Sequence, residues 1–161
     1  MEALEAPTFD LVVLNPAWVF GPMLQPTLNE SSDEIARYFT GHLQAIPNGF
    51  KCAVDVRDVA EAHVKAFETP AANGRYMLIG WQASEAEIAD RIRTLYPLAA
   101  VPTTVEDDGK VPHPRLYDAN RAVKDLGLVY TPMTESIEAT CASLVQHGLV
   151  QIDARHLATT K

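Results

Sequence analysis

The chain is predicted to be α/β with a mainly parallel sheet, and three features of its sequence predict this. Strand-like and helix-like segments alternate along it. Residues 9–16 are a near-continuous apolar run of strand length, as expected for a parallel strand covered on both faces. Helix starts carry Ser or Asp at capping spacing, and their ends carry Pro or Gly. Three or four strands are expected, which suits half of a doubly wound domain better than a whole one.

Taken in order, the first strand ends at Pro16, and the chain turns through Gly21-Pro22. Ser31-Ser32-Asp33-Glu34 has the spacing of a capping box, followed by an apolar face of Ile35, Tyr38 and Phe39 up to Gly41. A short strand from Cys52 to Val56 leads into Arg57-Asp58, where Asp58 and Glu61 repeat that spacing. Val59, Ala62, Ala66 and Phe67 then recur at helical intervals until Thr69-Pro70. The Asn73-Gly74 turn opens a strand from Arg75 to Ile79. Ser84 and Glu87 start a helix through Ile88, Ile92 and Leu95, closed by Pro97. Residues 101–117, with three prolines around an acidic turn, predict a short strand and an extended loop. Asp118 caps a short helix that closes at Leu126-Gly127. Thr131-Pro132 opens the last helix, with Ile137, Cys141, Leu144 and Val145 inward and Gly148 as its stop. The domain is expected over residues 1–149, with a frayed tail at 150–161.

Composition narrows the function. With 161 residues, 47% of them hydrophobic, the chain can bury one ordinary core. A formal charge of −8 argues against nucleic acid or an anionic membrane as partner. No apolar stretch reaches the roughly 20 residues that span a bilayer. The acidic start, Met1 to Pro7, has no signal-peptide pattern, so a cytoplasmic protein is expected. Cys52 and Cys141 follow no metal spacing and read as two isolated buried thiols, suited to a reducing compartment. The five histidines are scattered, and His63 reads as a core or boundary residue rather than a base. No metal site is expected.

Several pieces, weak singly, occur together in a telling order. They are Asn15-Pro16 with Gly21-Pro22, Gln25-Pro26-Thr27, and Asp55-Val56-Arg57-Asp58-Val59-Ala60. Glu68-Thr69-Pro70 with Gly74-Arg75-Tyr76 follows, then Asp125-Leu126-Gly127 before Thr131-Pro132. Over residues 9–149 the chain resembles the carboxyl-terminal half of extended short-chain dehydrogenases/reductases, on the cinnamoyl-CoA and dihydroflavonol reductase branch of the NAD-dependent epimerase/dehydratase superfamily. The resemblance implies the later part of a Rossmann-like doubly wound fold with its substrate-binding subdomain. The nucleotide-binding half would precede it. It implies that the backbone of Pro16, Ala17, Trp18 and Val19 borders the nicotinamide end of NADP, where a strand's carboxyl end faces a ligand crevice. Trp18 departs from the aliphatic residue expected there. Ser31 would reach a cofactor phosphate or ribose oxygen, or would cap its helix. Residues 22–50 would wall the substrate pocket, with Met23 to Glu30 as the substrate-facing loop. Asp55 to Asp58 reads as structural, with Asp58 as a cap and Arg57 paired to a carboxylate.

The chain has no Tyr-x-x-x-Lys. Its tyrosines at 38, 76, 96, 117 and 130 are followed four residues on by His42, Gly80, Ala100, Arg121 and Thr134. No two of its eight glycines are three apart, so a dinucleotide fingerprint is absent. No catalytic residue is therefore assigned. The expectation is a partial NADP-dependent reductase of a small carbonyl compound or CoA thioester, using NADP only with the upstream half and inactive alone. An open sheet edge would favour self-association. Two alternatives stand beside it: a non-catalytic binding or interaction module, and part of a sugar-nucleotide epimerase.

Overall fold

The computed structural model describes residues 9–152. In chain order the elements are β1 (Val12–Pro16), β2 (Trp18–Phe20), α1 (Glu30–Ala36), β3 (Phe50–Asp55) and α2 (Val56–Glu68). They continue with β4 (Gly74–Leu78), β5 (Trp81–Ser84), α3 (Glu85–Leu95), α4 (Asn120–Leu126) and α5 (Met133–Gln146). The strands form two sheets. In one, β1 and β4 run parallel, with Val12 opposite Gly74 and Pro16 opposite Leu78. In the other the order is β2-β3-β5, with β2 parallel and β5 antiparallel to β3.

Successive strand residues point to opposite faces, and β3 uses this to join two cores. Ala53 packs with Phe20, Trp81 and Ala83 against Ile35 of α1, Ile88 and Ile92 of α3, and Ile137, Cys141 and Leu144 of α5. Its neighbour Val54 belongs to a second core, with Ala62 of α2, Tyr76 and Leu78 of β4, and Ala122 and Leu126 of α4. Helices thus cover both sides of the strands, and the α/β class with parallel pairing is what the sequence predicts.

Several details differ from the sequence reading. Five strands form, not three or four, because β2 and β5 are too short to show a period. A single residue, Ala17, separates β1 from β2, and across it the chain passes from one sheet to the other. The cap of α1 is Asn29, whose Oδ1 accepts the Ser32 N–H at 2.8 Å, so Ser31 is not the cap. The cap of α2 is Asp55, whose side chain accepts the Arg57 N–H. Asp58 is instead buried in the first turn and accepts the N–H and hydroxyl of Thr131 at 2.8 and 2.7 Å. It thereby ties α2 to the entry of α5. Phe67 is 91% exposed and His63 is also exposed, because only the Ala62 side of α2 faces strands. The predicted strand in 101–117 is reduced to one bridge, Ile46 to Val105.

Two more expectations fail: Ala119, without a side-chain cap, precedes α4 in place of Asp118, and β1 is half-buried to exposed rather than covered on both faces. The following hold as stated. Ser84 and Glu87 form a reciprocal capping box on α3. Gly127 closes α4 in the left-handed region at φ 62°. Cys141 is buried, and burial pushes its thiol up to about 12. The greater part of the expected frayed tail, residues 153–161, lies outside the described residues, as do residues 1–8.

Gly21, at φ 119°, is where β2 hands the chain to the loop before α1. A Cβ there would lie 2.9 Å from both carboxylate oxygens of Asp55 and from Val56 Cγ1. Gly21→Ala is expected to destabilise the fold by about 2–4 kcal/mol, combining backbone strain with overpacking. Urea unfolding of the two proteins measures this, and a change within 0.5 kcal/mol, roughly the scatter of neutral surface substitutions, would refute it.

Candidate functional site

The carboxyl ends of β1 and β4 lie side by side, and β2 leaves from the first of them. The Ala17 N–H donates to the Leu78 carbonyl at 3.1 Å, prolonging the ladder by one residue. The Gly80 N–H donates to the Ala53 carbonyl at 2.8 Å, which stitches the second sheet to the first. At this seam opens a cleft of about 640 Å³, lined by Asn15 to Trp18, Glu30, Ser31, Phe50, Cys52, Met77, Ile79, Arg115 and Tyr117. Crevices at strand carboxyl ends are where ligands bind in α/β sheets.

The cleft brings together Pro16, Ala17, Trp18 and Ser31. Val19 points to the other face of β2 and borders a separate cleft of about 400 Å³, with Phe20 to Gln25, Asn29 and Arg57. The two are linked all the same, because the Val19 N–H donates to Ser31 Oγ at 3.3 Å. Ser31 is thus held beside the strand by the backbone that the sequence singled out. Of residues 22–50, Glu30, Ser31 and Phe50 line the main cleft, while Met23 to Gln25 and Asn29 face the smaller one. The loop from Met23 to Glu30 therefore walls mostly the second space.

Sequence reasoning gave no site role to Cys52, Met77, Ile79, Arg115 or Tyr117, all of which line the cleft. Arg115 and Tyr117 sit in the proline-rich segment, where no periodicity gives their direction. Cys52 is half-buried rather than buried, because β3's Cys52 side opens on the cleft. Burial raises its thiol, with Arg115 opposing, so it remains a weak nucleophile.

Beside Trp18 lies a charge network that no local pattern announces. Glu85, the first residue of α3, is 6% exposed. Its carboxylate meets Arg37 at 3.2 Å and Lys51 at 3.4 Å and accepts the Tyr38 hydroxyl. Glu34 bonds the same two cations, at 3.2 Å to Arg37 and 2.5 Å to Lys51. Burial, then the bond to Glu85, drives the Tyr38 phenol well above its ordinary range, so it stays a donor. Two carboxylates and two cations so close satisfy one another, and removing either sign would strand the other. Lys51 Nζ also sits 4.7 Å from the centre of the Trp18 ring.

A second buried carboxylate shapes the seam from below. Asp55 is fully buried and takes the Arg57 guanidinium on both oxygens, at 2.8 and 3.0 Å. Burial raises its pKa, but the Arg57 hydrogen bonds outweigh this and hold it below the usual carboxylate range. A group whose folded pKa is depressed stabilises above its unfolded value, about 3.9, and loses that contribution as pH falls through the folded value. Asp55→Asn should therefore cost stability at neutral pH, and the cost should shrink progressively below about pH 4. Chemical denaturation across pH 2–7 reads this. A cost independent of pH would show that the charge of Asp55 contributes nothing.

Among the described residues no cluster of three or more His, Cys, Asp or Glu could hold a metal ion. No helix there is long and apolar enough to cross a membrane.

Comparison with known proteins places this geometry. No family model matches the chain. It is 42% identical over 140 residues to cinnamoyl-CoA reductase 1 of Oryza sativa, covering 86% of this chain and 41% of the rice protein. It is 37% identical over 148 residues to cinnamoyl-CoA reductase 2 of Arabidopsis thaliana, covering 91% and 44%. The yeast methylglyoxal/isovaleraldehyde reductase, solved with NADPH, superposes with a TM-score of 0.68 at 25% identity over 88% of this chain and 45% of that one. Vestitone reductase of alfalfa shares the fold, with a TM-score of 0.72 at 18% identity over 88% and 46%. The chain spans less than half the length of each of these proteins.

Proposed function

The chain belongs to the extended short-chain dehydrogenases/reductases, where it corresponds to a carboxyl-terminal portion, and on that premise we propose that it forms the substrate side of an NADP-dependent reductase. The observation that carries this is the cleft at the β1 and β4 carboxyl ends, lined by Pro16, Ala17, Trp18 and Ser31. In this reading the backbone from Pro16 to Val19 borders the nicotinamide end of the cofactor. Ser31, freed from capping by Asn29, can turn its hydroxyl proton toward a ribose or phosphate oxygen. The Ala17 and Val19 N–H groups are already bonded to the Leu78 carbonyl and to Ser31 Oγ, so what the strand end offers is a backbone position fixed before a ligand arrives.

The cofactor would supply a hydride to a carbonyl carbon or thioester. This chain's residues would orient the acceptor and exclude water, with Trp18, Phe50, Ile79 and Tyr117 as apolar walls. Reduction also needs a proton donor and a pyrophosphate cradle, and neither has a recognisable pattern in these 161 residues. The chain alone is therefore expected to turn over neither aromatic aldehydes nor CoA thioesters with NADPH. Activity that survives stringent purification and scales with its concentration would refute this. A cytoplasmic setting accords with two free thiols.

The site reading is tested by joining the chain to a relative's amino-terminal portion. Ala17→Leu should weaken NADPH binding by about 1–3 kcal/mol while leaving the unfolding midpoint nearly unchanged. Ser31→Ala should weaken it less, and should cost little helix stability. Asn29→Ala should cost about 0.5–2 kcal/mol of stability with the cofactor site intact. A fall in melting temperature for Ala17→Leu with unchanged affinity would make the segment structural.

A second reading, as a module that pairs with another chain, is favoured by one observation. Among the described residues β1 has a partner on one side only, and Phe9, Leu11 and Phe67 are 68%, 65% and 91% exposed. An open strand beside apolar side chains invites pairing. Sedimentation of the isolated chain should show concentration-dependent association, and a compact monomer at all concentrations would remove this reading.

A further inference from the structure

We propose that Lys51 is a positioning residue that fixes the Trp18 indole and thereby limits how bulky a carbonyl compound the cleft admits. The proposal deepens the reading of this cleft as a substrate pocket and rests on it. Its starting point is that Trp18, on β2, occupies the edge of a three-stranded sheet, so one flank of its residue has no strand beside it among those described. A large side chain at a sheet edge beside an open cleft has room to change rotamer. Here it does not stand unsupported. Trp18 and Lys51 share a face of the sheet, because Trp18 pairs with Ala53 and Lys51 lies two residues before it on β3. The ammonium sits 4.7 Å from the indole centre.

A lysine is ordinarily a poor fixed point, since its four-carbon stem has many rotamers. Lys51 differs because its ammonium is held from two elements at once. Glu34 of α1 binds it at 2.5 Å and Glu85 of α3 at 3.4 Å. Both carboxylates are themselves held by Arg37, at 3.2 Å each. The lysine side chain is 15% exposed. The cation is thus fixed by a closed ring of charges, and the π-face of Trp18 is the remaining direction in which it acts. Trp18 in turn lines the cleft with Pro16 and Ala17, so the indole's position sets the width of that wall. A substitution at Lys51, outside the cleft lining, should then change what the cleft accepts.

The chain itself allows a direct test, because it has two tryptophans, Trp18 and Trp81. Trp81 is 8% exposed and stacks on Phe20, so it contributes a shielded background. The Trp18 signal is obtained by subtracting the emission of W18F from that of the parent, separately in the wild-type, K51M, K51R and E34Q backgrounds. Acrylamide quenching of that difference signal should rise about twofold in K51M and return toward the parent value in K51R, since arginine also stacks on indole. E34Q, which loosens the pin without removing the cation, should fall between them. In the same samples, benzaldehyde and the wider 2-naphthaldehyde are titrated by ligand-observed NMR. The parent should favour benzaldehyde, and K51M should narrow that preference by about threefold, a change of roughly 0.7 kcal/mol by the affinity relation. Equal quenching of Trp18 in the parent and K51M overturns the proposal. So does increased quenching with the same aldehyde preference. If neither aldehyde binds the parent, the pocket reading fails while the quenching series still reports whether Lys51 holds Trp18. Should K51M not fold, E34Q and K51R give the same comparison.

Discussion

The buried carboxylate of Asp55 is the constraint on which the arrangement of this molecule turns. It ends β3 opposite Phe20, caps α2, and receives the Arg57 fork. A charge with no exposed surface is tolerable only when its lone pairs are filled by hydrogen bonds or opposite charge. Meeting that need fixes three things together: where β3 stops, where α2 starts, and how closely β2 can approach. The last is visible at Gly21, whose missing side chain leaves room for the two Asp55 oxygens. From there the chain is taken over by α5. The Gly21 and Met23 N–H groups donate to Thr140 Oγ1 and Ser143 Oγ, at 2.6 and 2.8 Å. Hydroxyls in the last helix thus satisfy a loop about 120 residues earlier, and the strand that carries the candidate site is clamped at its far end.

What the sequence made legible follows the range of the interactions concerned. The capping box of α3 and the Gly127 stop of α4 are settled within four residues, and both were readable. The Asp55-to-Asp58 stretch shows where that ends. Its structural character and the pairing of Arg57 could be read, yet the cap is Asp55 and not Asp58. Both acids have plausible spacing, and the choice is made by Thr131, 73 residues away. At α1 the sequence pointed to Ser31 alone, whereas Asn29 caps the helix and the Val19 N–H takes Ser31 Oγ. The charge network of Glu34, Arg37, Lys51 and Glu85 joins two helices and a strand, so its members look like ordinary surface charges when read singly. Family resemblance, carried by motifs such as Asn15-Pro16 and Asp125-Leu126-Gly127, reached further than periodicity because it brings three-dimensional neighbours along with the letters.

The candidate site itself is a consequence of dividing the strands between two sheets. Had β2 continued in the first sheet, its backbone would pair along its length, and no crevice would open at Pro16. Instead the chain crosses over within one residue, and the ladder persists only through Ala17 to Leu78 and Gly80 to Ala53. The gap is bordered by the ends of β1 and β4 on one side, and by β3 and α1 on the other. Main-chain groups at such a seam are held in place by the bonds on either side of it, Ala17 to Leu78 and Val19 to Ser31. That fixed geometry is what a ligand site requires. Polar residues gather at the same opening. Asn15, Glu30 and Ser31 face the opening, while the cores continue behind them through Phe20 on one side and Leu78 on the other.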